Sequence, residues 1–147
     1  MRKHCRRRHF DTRSNPMFQT ASAIADRELI DLRLREHLAF DAISTWQGCR
    51  ADLNALLTSA ATARELAAIG YGADELDDLA LVDRILADAK VLPPGSIGLP
   101  AGLLQPVRWL LQFHDGQRAV TTRRDYHQAL ARVRREPSRY GLPLALA

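Results

Sequence analysis

The 147-residue chain is 46% hydrophobic and 26% charged, with a formal charge of +4, proportions that fit one globular domain and exclude wholesale disorder, collagen-like repeats or a coiled-coil fibre. No run of about 18 uncharged apolar residues exists to cross a membrane, and the basic start from Met1 to Phe10 is not followed by an apolar signal core. Cys5 and Cys49 are too few for a disulfide scaffold, so the expectation is a cytoplasmic protein that needs no membrane.

Residues 1–19 lack apolar periodicity and contain the turn signal Asn15-Pro16, which predicts an exposed, mobile basic arm. A first helix is predicted from about Ser22 to Thr45. Leu32, Ala39, Ile43 and Trp46 share one face, while Ile30, Leu34 and Leu38 lie on another. Apolar residues on two sides suggest a helix packed from several directions. The second helix, about Cys49 to Ile69, repeats Leu53, Leu56, Leu57, Ala60, Ala63 and Ala67 at helical spacing, with Gly70 as its stop.

A third helix is expected to begin at Asp74 as N-cap, with acids in its first turn and a stripe of Leu79, Val82, Leu86 and Ala89. Pro93-Pro94-Gly95 then enforces a loop to about Pro100. The fourth helix spans about Ala101 to Ala119, with Pro106 either kinking it or marking its true first turn. The fifth runs from Thr122 to about Glu136: Thr122 and Asp125 resemble a capping box, Tyr126, Ala129, Leu130 and Val133 face inward, and Pro137 ends it. No segment alternates like a strand. The reading is an all-α, single-domain bundle of about five helices over residues 20–140, with the 1–19 arm before it and an apolar tail at 141–147.

Charge is segregated along this chain. Arg2, Lys3, Arg6, Arg7, Arg8 and Arg13 against Asp11 give residues 1–13 a charge of +5; residues 51–90 carry −5, and residues 108–139 return to +5. A coding sequence rich in G and C would account for 19 arginines and 22 alanines, but not for six bases within the first thirteen positions. Clustered bases neutralise phosphates and release counterions without reading sequence, so the arm is a candidate contact for DNA or RNA. The fifth helix repeats the pattern with Arg123, Arg124, Arg132, Arg134 and Arg135 opposite its apolar face, although solubility alone also requires charged outer faces.

A helix-turn-helix is rejected on charge. The stretch from Arg64 to Tyr71 followed by another helix imitates its layout, yet the recognition helix would bring Asp74, Glu75, Asp77, Asp78, Asp83 and Asp88 against phosphates. The same acidic helix could meet a basic protein partner. Trp109 and Phe113, one turn apart, are candidates for a partner anchor or for a second core layer. For metals, His4, Cys5 and His9 fall short of a tetrahedral set, and His37, Cys49, His114 and His127 stand apart. His114-Asp115 is the only suggestive catalytic pair, but neighbours on a helix point about 100° apart, so His114 is read as a core histidine bonded to a neighbour. The expectation is a non-enzyme without cofactors.

The series Arg2-Lys3-His4-Cys5-Arg6-Arg7-Arg8, Asn15-Pro16, Leu53-Asn54-Ala55-Leu56 and His114-Asp115-Gly116-Gln117 before Tyr126 resembles a group of small helical proteins encoded in phages and prophages, some labelled Fis-type transcriptional regulators. The resemblance implies an accessory or regulatory role and carries no active-site residues. A Fis-like protein would end in a helix-turn-helix, whereas this chain ends in one basic helix, Pro137 and the apolar tail from Gly141. The function read from the sequence is therefore a phage or prophage accessory protein contacting nucleic acid nonspecifically. The alternative is an inhibitor of a host nucleic-acid-handling or defence complex that uses the acidic third helix; a virion assembly factor is a third possibility.

Overall fold

Alanine dictates the centre of the architecture. Helix α2 (Arg50–Ala68) buries Ala55, Ala60, Ala61, Ala63 and Ala67 together with Leu56, Leu57 and Leu66, and such short side chains let neighbouring helices approach from several directions while costing little helix propensity. Helices α1 (Asp26–Ser44), α3 (Leu76–Ala87), α4 (Leu104–Val120) and α5 (Arg123–Arg135) surround it. The computed structural model describes residue 24 and residues 26–92 and 95–142, and over these it is an all-α bundle of five helices. The predicted arm at 1–19 lies outside the described residues, as does all but the first two residues of the tail.

The main core joins Phe40 and Ile43 of α1, Leu56 and Leu57 of α2, Leu79, Val82 and Leu86 of α3, and Val107, Leu110 and Leu111 of α4. A smaller cluster gathers Ile24, Leu66, Tyr126 and Ala129, backed by Leu29 and Leu32. A third places Val133 and Tyr140 against Ala61, and Leu142, the second residue of the tail, packs there too.

Several details depart from the sequence expectations. Helix α1 is packed on one side only: Ile30, Leu34 and Leu38 are 62%, 57% and 60% exposed, because α2, α4 and α5 all gather on its opposite face. Asp74 is not the N-cap of α3; it sits inside a short 3-10 turn, Ala73–Glu75, and the α-helix begins at Leu76. Pro106 occupies the first turn of α4, where its missing N–H costs nothing, so it starts the helix instead of kinking it.

The proline loop contains a small hairpin, β1 (Lys90–Leu92) paired antiparallel with β2 (Ser96–Gly98). Strands of three residues are too short for alternation to reveal. Ile97 also exchanges backbone hydrogen bonds with Gly48, at 2.7 and 3.2 Å. This fastens the hairpin to the α1–α2 turn, where Trp46 adopts φ 60° and lies over Gly98. Any side chain at Gly98 would strike the Trp46 ring.

Candidate nucleic-acid interface

Helix α5 is held by its first turn and its inward face. The Asp125 N–H donates to Thr122 Oγ1 at 3.1 Å, which satisfies one of the free donors at a helix start. The Asp125 carboxylate does not complete the capping box; it accepts from Tyr71 Oη at 2.8 Å and so ties α5 to the end of α2. Tyr126, Ala129 and Val133 are buried, with Leu130 half-buried beside them.

With that face fixed, Arg123, Arg124, Arg132, Arg134 and Arg135 all face solvent. Arg124, Gln128, Ala131 and Arg135 follow one another along the middle of the exposed surface, a rise of about 16 Å from first to last. Some of these charges have intramolecular partners: Arg123 lies 3.8 Å from Glu28 and Arg132 3.5 Å from Glu65. Among the described residues no carboxylate comes within ion-pair distance of Arg124, Arg134 or Arg135. Arg132, Arg134 and Arg135 fall in the last turn, where they also complement the negative end of the helix dipole.

Arg2, Lys3, Arg6, Arg7, Arg8 and Arg13 lie outside the described residues. The entry point of the chain is fixed, however. Ile24, the first described residue, is 3% exposed in the cluster of Leu66, Tyr126 and Ala129 beside α5.

The acidic candidates are split. Asp74, Asp77, Asp78 and Asp88 are exposed and Glu75 is half-exposed, whereas Asp83 turns toward α2 and pairs with Arg64. Burial raises the Asp83 pKa, against the pull of Arg64. Trp109 and Phe113 are not a free anchor: their rings stack at 5.2 Å and 12°, both pack on the core, and Phe113 covers Gly72 closely enough to exclude a Cβ there. A shallow depression of about 320 Å³ does remain beside Trp109, bounded by Asp78, Leu81, Val82, Gln105 and Pro106.

One constellation has no counterpart in the sequence reading. Arg118 of α4 is 1% exposed and Glu36 of α1 is 6% exposed. The guanidinium donates to both carboxylate oxygens, with Nη1 at 2.7 Å from Oε2. Ser59 Oγ of α2 donates to Glu36 Oε1 at 2.5 Å, and the Arg118 guanidinium carbon lies 5.5 Å from the centre of the Tyr126 ring of α5. Asp115 extends the network outward, its carboxylate lying 3.1 Å from Arg33 Nε and 3.0 Å from His37 Nε2. A polar seam thus joins α1, α2, α4 and α5.

His114 sits at its inner end, fully buried. Gln117 Nε2 donates to the carbonyls of Ala63 and Tyr71 at 3.0 and 2.7 Å, so its amide oxygen faces His114 Nδ1 at 2.9 Å and requires the proton to be on that nitrogen. Burial, then the Arg118 charge, lowers the His114 pKa to about 4, against Glu36, Gln117 and Asp115. His114 is a bonded core residue, as expected, and Asp115 serves α1, not His114.

A signal for the seam does exist in the sequence. Arg118 continues the buried stripe Val107, Leu111, His114, and Glu36 lies on the stripe Leu29, Leu32, Ala39, Ile43. Two opposite charges interrupting apolar stripes on separate helices are candidates for a buried pair. Chemically the seam neutralises itself, because every charge in it already has its opposite. No family model, curated protein or solved structure matches the chain.

Proposed function

We propose that this chain is a non-enzymatic accessory or regulatory protein that contacts the phosphates of nucleic acid without sequence readout, through the outer face of α5 together with the basic leader. The observation that carries the reading is the set Arg124, Arg134 and Arg135, three exposed arginines on one helix with no carboxylate partner among the described residues. Ile24 supplies the second support. It is buried beside Tyr126 and Ala129, eleven residues after the last of the six bases of residues 2–13, a separation across which the leader and the α5 face can engage one polyanion. The resemblance to small phage-encoded helical proteins agrees with such a role.

The test is the salt dependence of binding to random duplex DNA. Each neutralised phosphate contributes about 0.9 to the slope of log K against log salt. Arg124→Ala, Arg134→Ala and Arg135→Ala together therefore reduce the slope by about 3, and deletion of residues 1–13 reduces it further, by about 5 at full engagement. Unchanged slopes in both proteins overturn the reading.

A second reading rests on the exposed acids of α3. Asp77 and Asp78 stand next to exposed Leu76 and Leu81, an acidic surface with apolar relief suited to a basic protein partner. Asp77→Lys with Asp78→Lys abolishes recovery of a basic host protein if this surface acts, and leaves DNA binding intact.

A further inference from the structure

We infer that α1 is the interface of an antiparallel homodimer, with its two-fold axis passing beside Leu34. Single exposed aliphatics are ordinary on protein surfaces; a contiguous row is not. Ile30, Leu34 and Leu38 are each more than half exposed and, spaced by four, form one ridge along the outer face of α1. Leu29, Leu32, Ala39, Phe40 and Ile43 of this helix already serve the two cores on its inner side.

The charges at the ends of the ridge select the occupant. Arg27 and Asp41 lie on the same outer face, seven residues before and seven after Leu34. When a second copy is laid antiparallel with Leu34 meeting Leu34, Ile30 comes level with Leu38 of the other copy, and Arg27 with Asp41. The face is thus complementary to itself in apolar bulk and in charge, which is what an isologous contact requires.

The helix dipole adds a separate argument. Arg27 stands at the positive end of its own helix and Asp41 in the last turn, where no basic residue accompanies it, so each opposes its own dipole. An antiparallel partner reverses both relations: Arg27 meets the partner helix's negative end and Asp41 its positive end. Among the described residues neither Arg27 nor Asp41 has an ion-pair partner within the chain. Ile24, just before α1, is buried with Leu29 and Leu32 on the side opposite the ridge.

One helix pair is a small interface, below the roughly 1,200 Å² of standard stable complexes, so the dimer is weak and forms with rising concentration. Sedimentation of the full chain across a micromolar concentration series is the experiment. The wild type is expected to shift from monomer to dimer, and Leu34→Asp, which sets two like charges face to face on an already exposed site, to lose the dimer while keeping its helical circular dichroism. Arg27→Asp weakens association severalfold, and adding Asp41→Arg to it restores the original strength, because only the antiparallel register brings these two positions together.

A wild-type chain that stays monomeric throughout overturns the inference, whether the ridge is bare or covered by the chain's own leader; a monomer that dimerises once residues 1–19 are removed identifies the leader as the cover. Dimers that survive Leu34→Asp, or that the double charge exchange fails to rescue, overturn it equally. None of these outcomes depends on whether the chain binds nucleic acid.

Discussion

Arg118 and Arg124 belong to consecutive helices and carry the same guanidinium, yet their surroundings are opposite. Arg118 is sealed between four helices with its charge matched by Glu36. Arg124 stands in solvent with no carboxylate near it among the described residues. In the first place the charge is consumed inside the fold, where its removal would strand a buried carboxylate. In the second no carboxylate of the described residues takes up the charge, as the proposed contact with an external polyanion requires. A basic composition therefore says little about partners until the arginines spent on the interior have been separated from those left outside.

The same substitution at both sites sharpens the contrast. Arg118→Met leaves Glu36 buried and unpaired and is expected to cost about 3–5 kcal/mol of stability in urea unfolding. Adding Glu36→Leu should recover most of that loss, since an apolar pair of similar volume removes both desolvation penalties; a double variant as unstable as the single one breaks the comparison. His114 gives an effect of similar origin at lower pH. Its proton affinity is depressed in the folded state, so the unfolded chain takes up more protons as pH falls from about 6.5 to about 4. Stability falls across that window by about 3 kcal/mol and is fully present above it. His114→Phe flattens this part of the curve, measured as the unfolding midpoint against pH. The smallest effect belongs to Arg124→Met, expected within about 0.5 kcal/mol of wild type. A larger loss there would show that the outer face of α5 serves the fold after all.

Local signals made most of the architecture legible. The i, i+3, i+4 rows marked all five helices, Gly70 ended α2 in a positive-φ turn, and Thr122 capped α5 as its sequence position required. His114 announced itself as a core histidine because it fell on the stripe of Val107 and Leu111.

Features that depend on distant partners stayed hidden. Glu36 and Arg118 each interrupt an apolar stripe, but 82 residues separate them, and periodicity within one helix does not show that the two meet. The outward Ile30–Leu38 row carried the same periodicity as a buried face, and only the positions of the neighbouring helices show that nothing in the bundle reaches it. The hairpin at 90–98 was shorter than any period. At the proposed interface the five α5 arginines were legible as a row, but their division into paired and unpaired was not, because Glu28 and Glu65 come from other helices.

The long separation within the polar seam has a consequence for biosynthesis. Helices α1, α2 and α3 leave the ribosome before Arg118 exists, so the nascent three-helix segment must keep the Glu36 carboxylate hydrated and that side of α2 unsealed. Only when α4 arrives can the carboxylate shed its water and the last packing close. A chain cut short before α4 is thus marked by an open, polar wound where the finished protein has a sealed joint, a distinction that cellular proteases are equipped to act on.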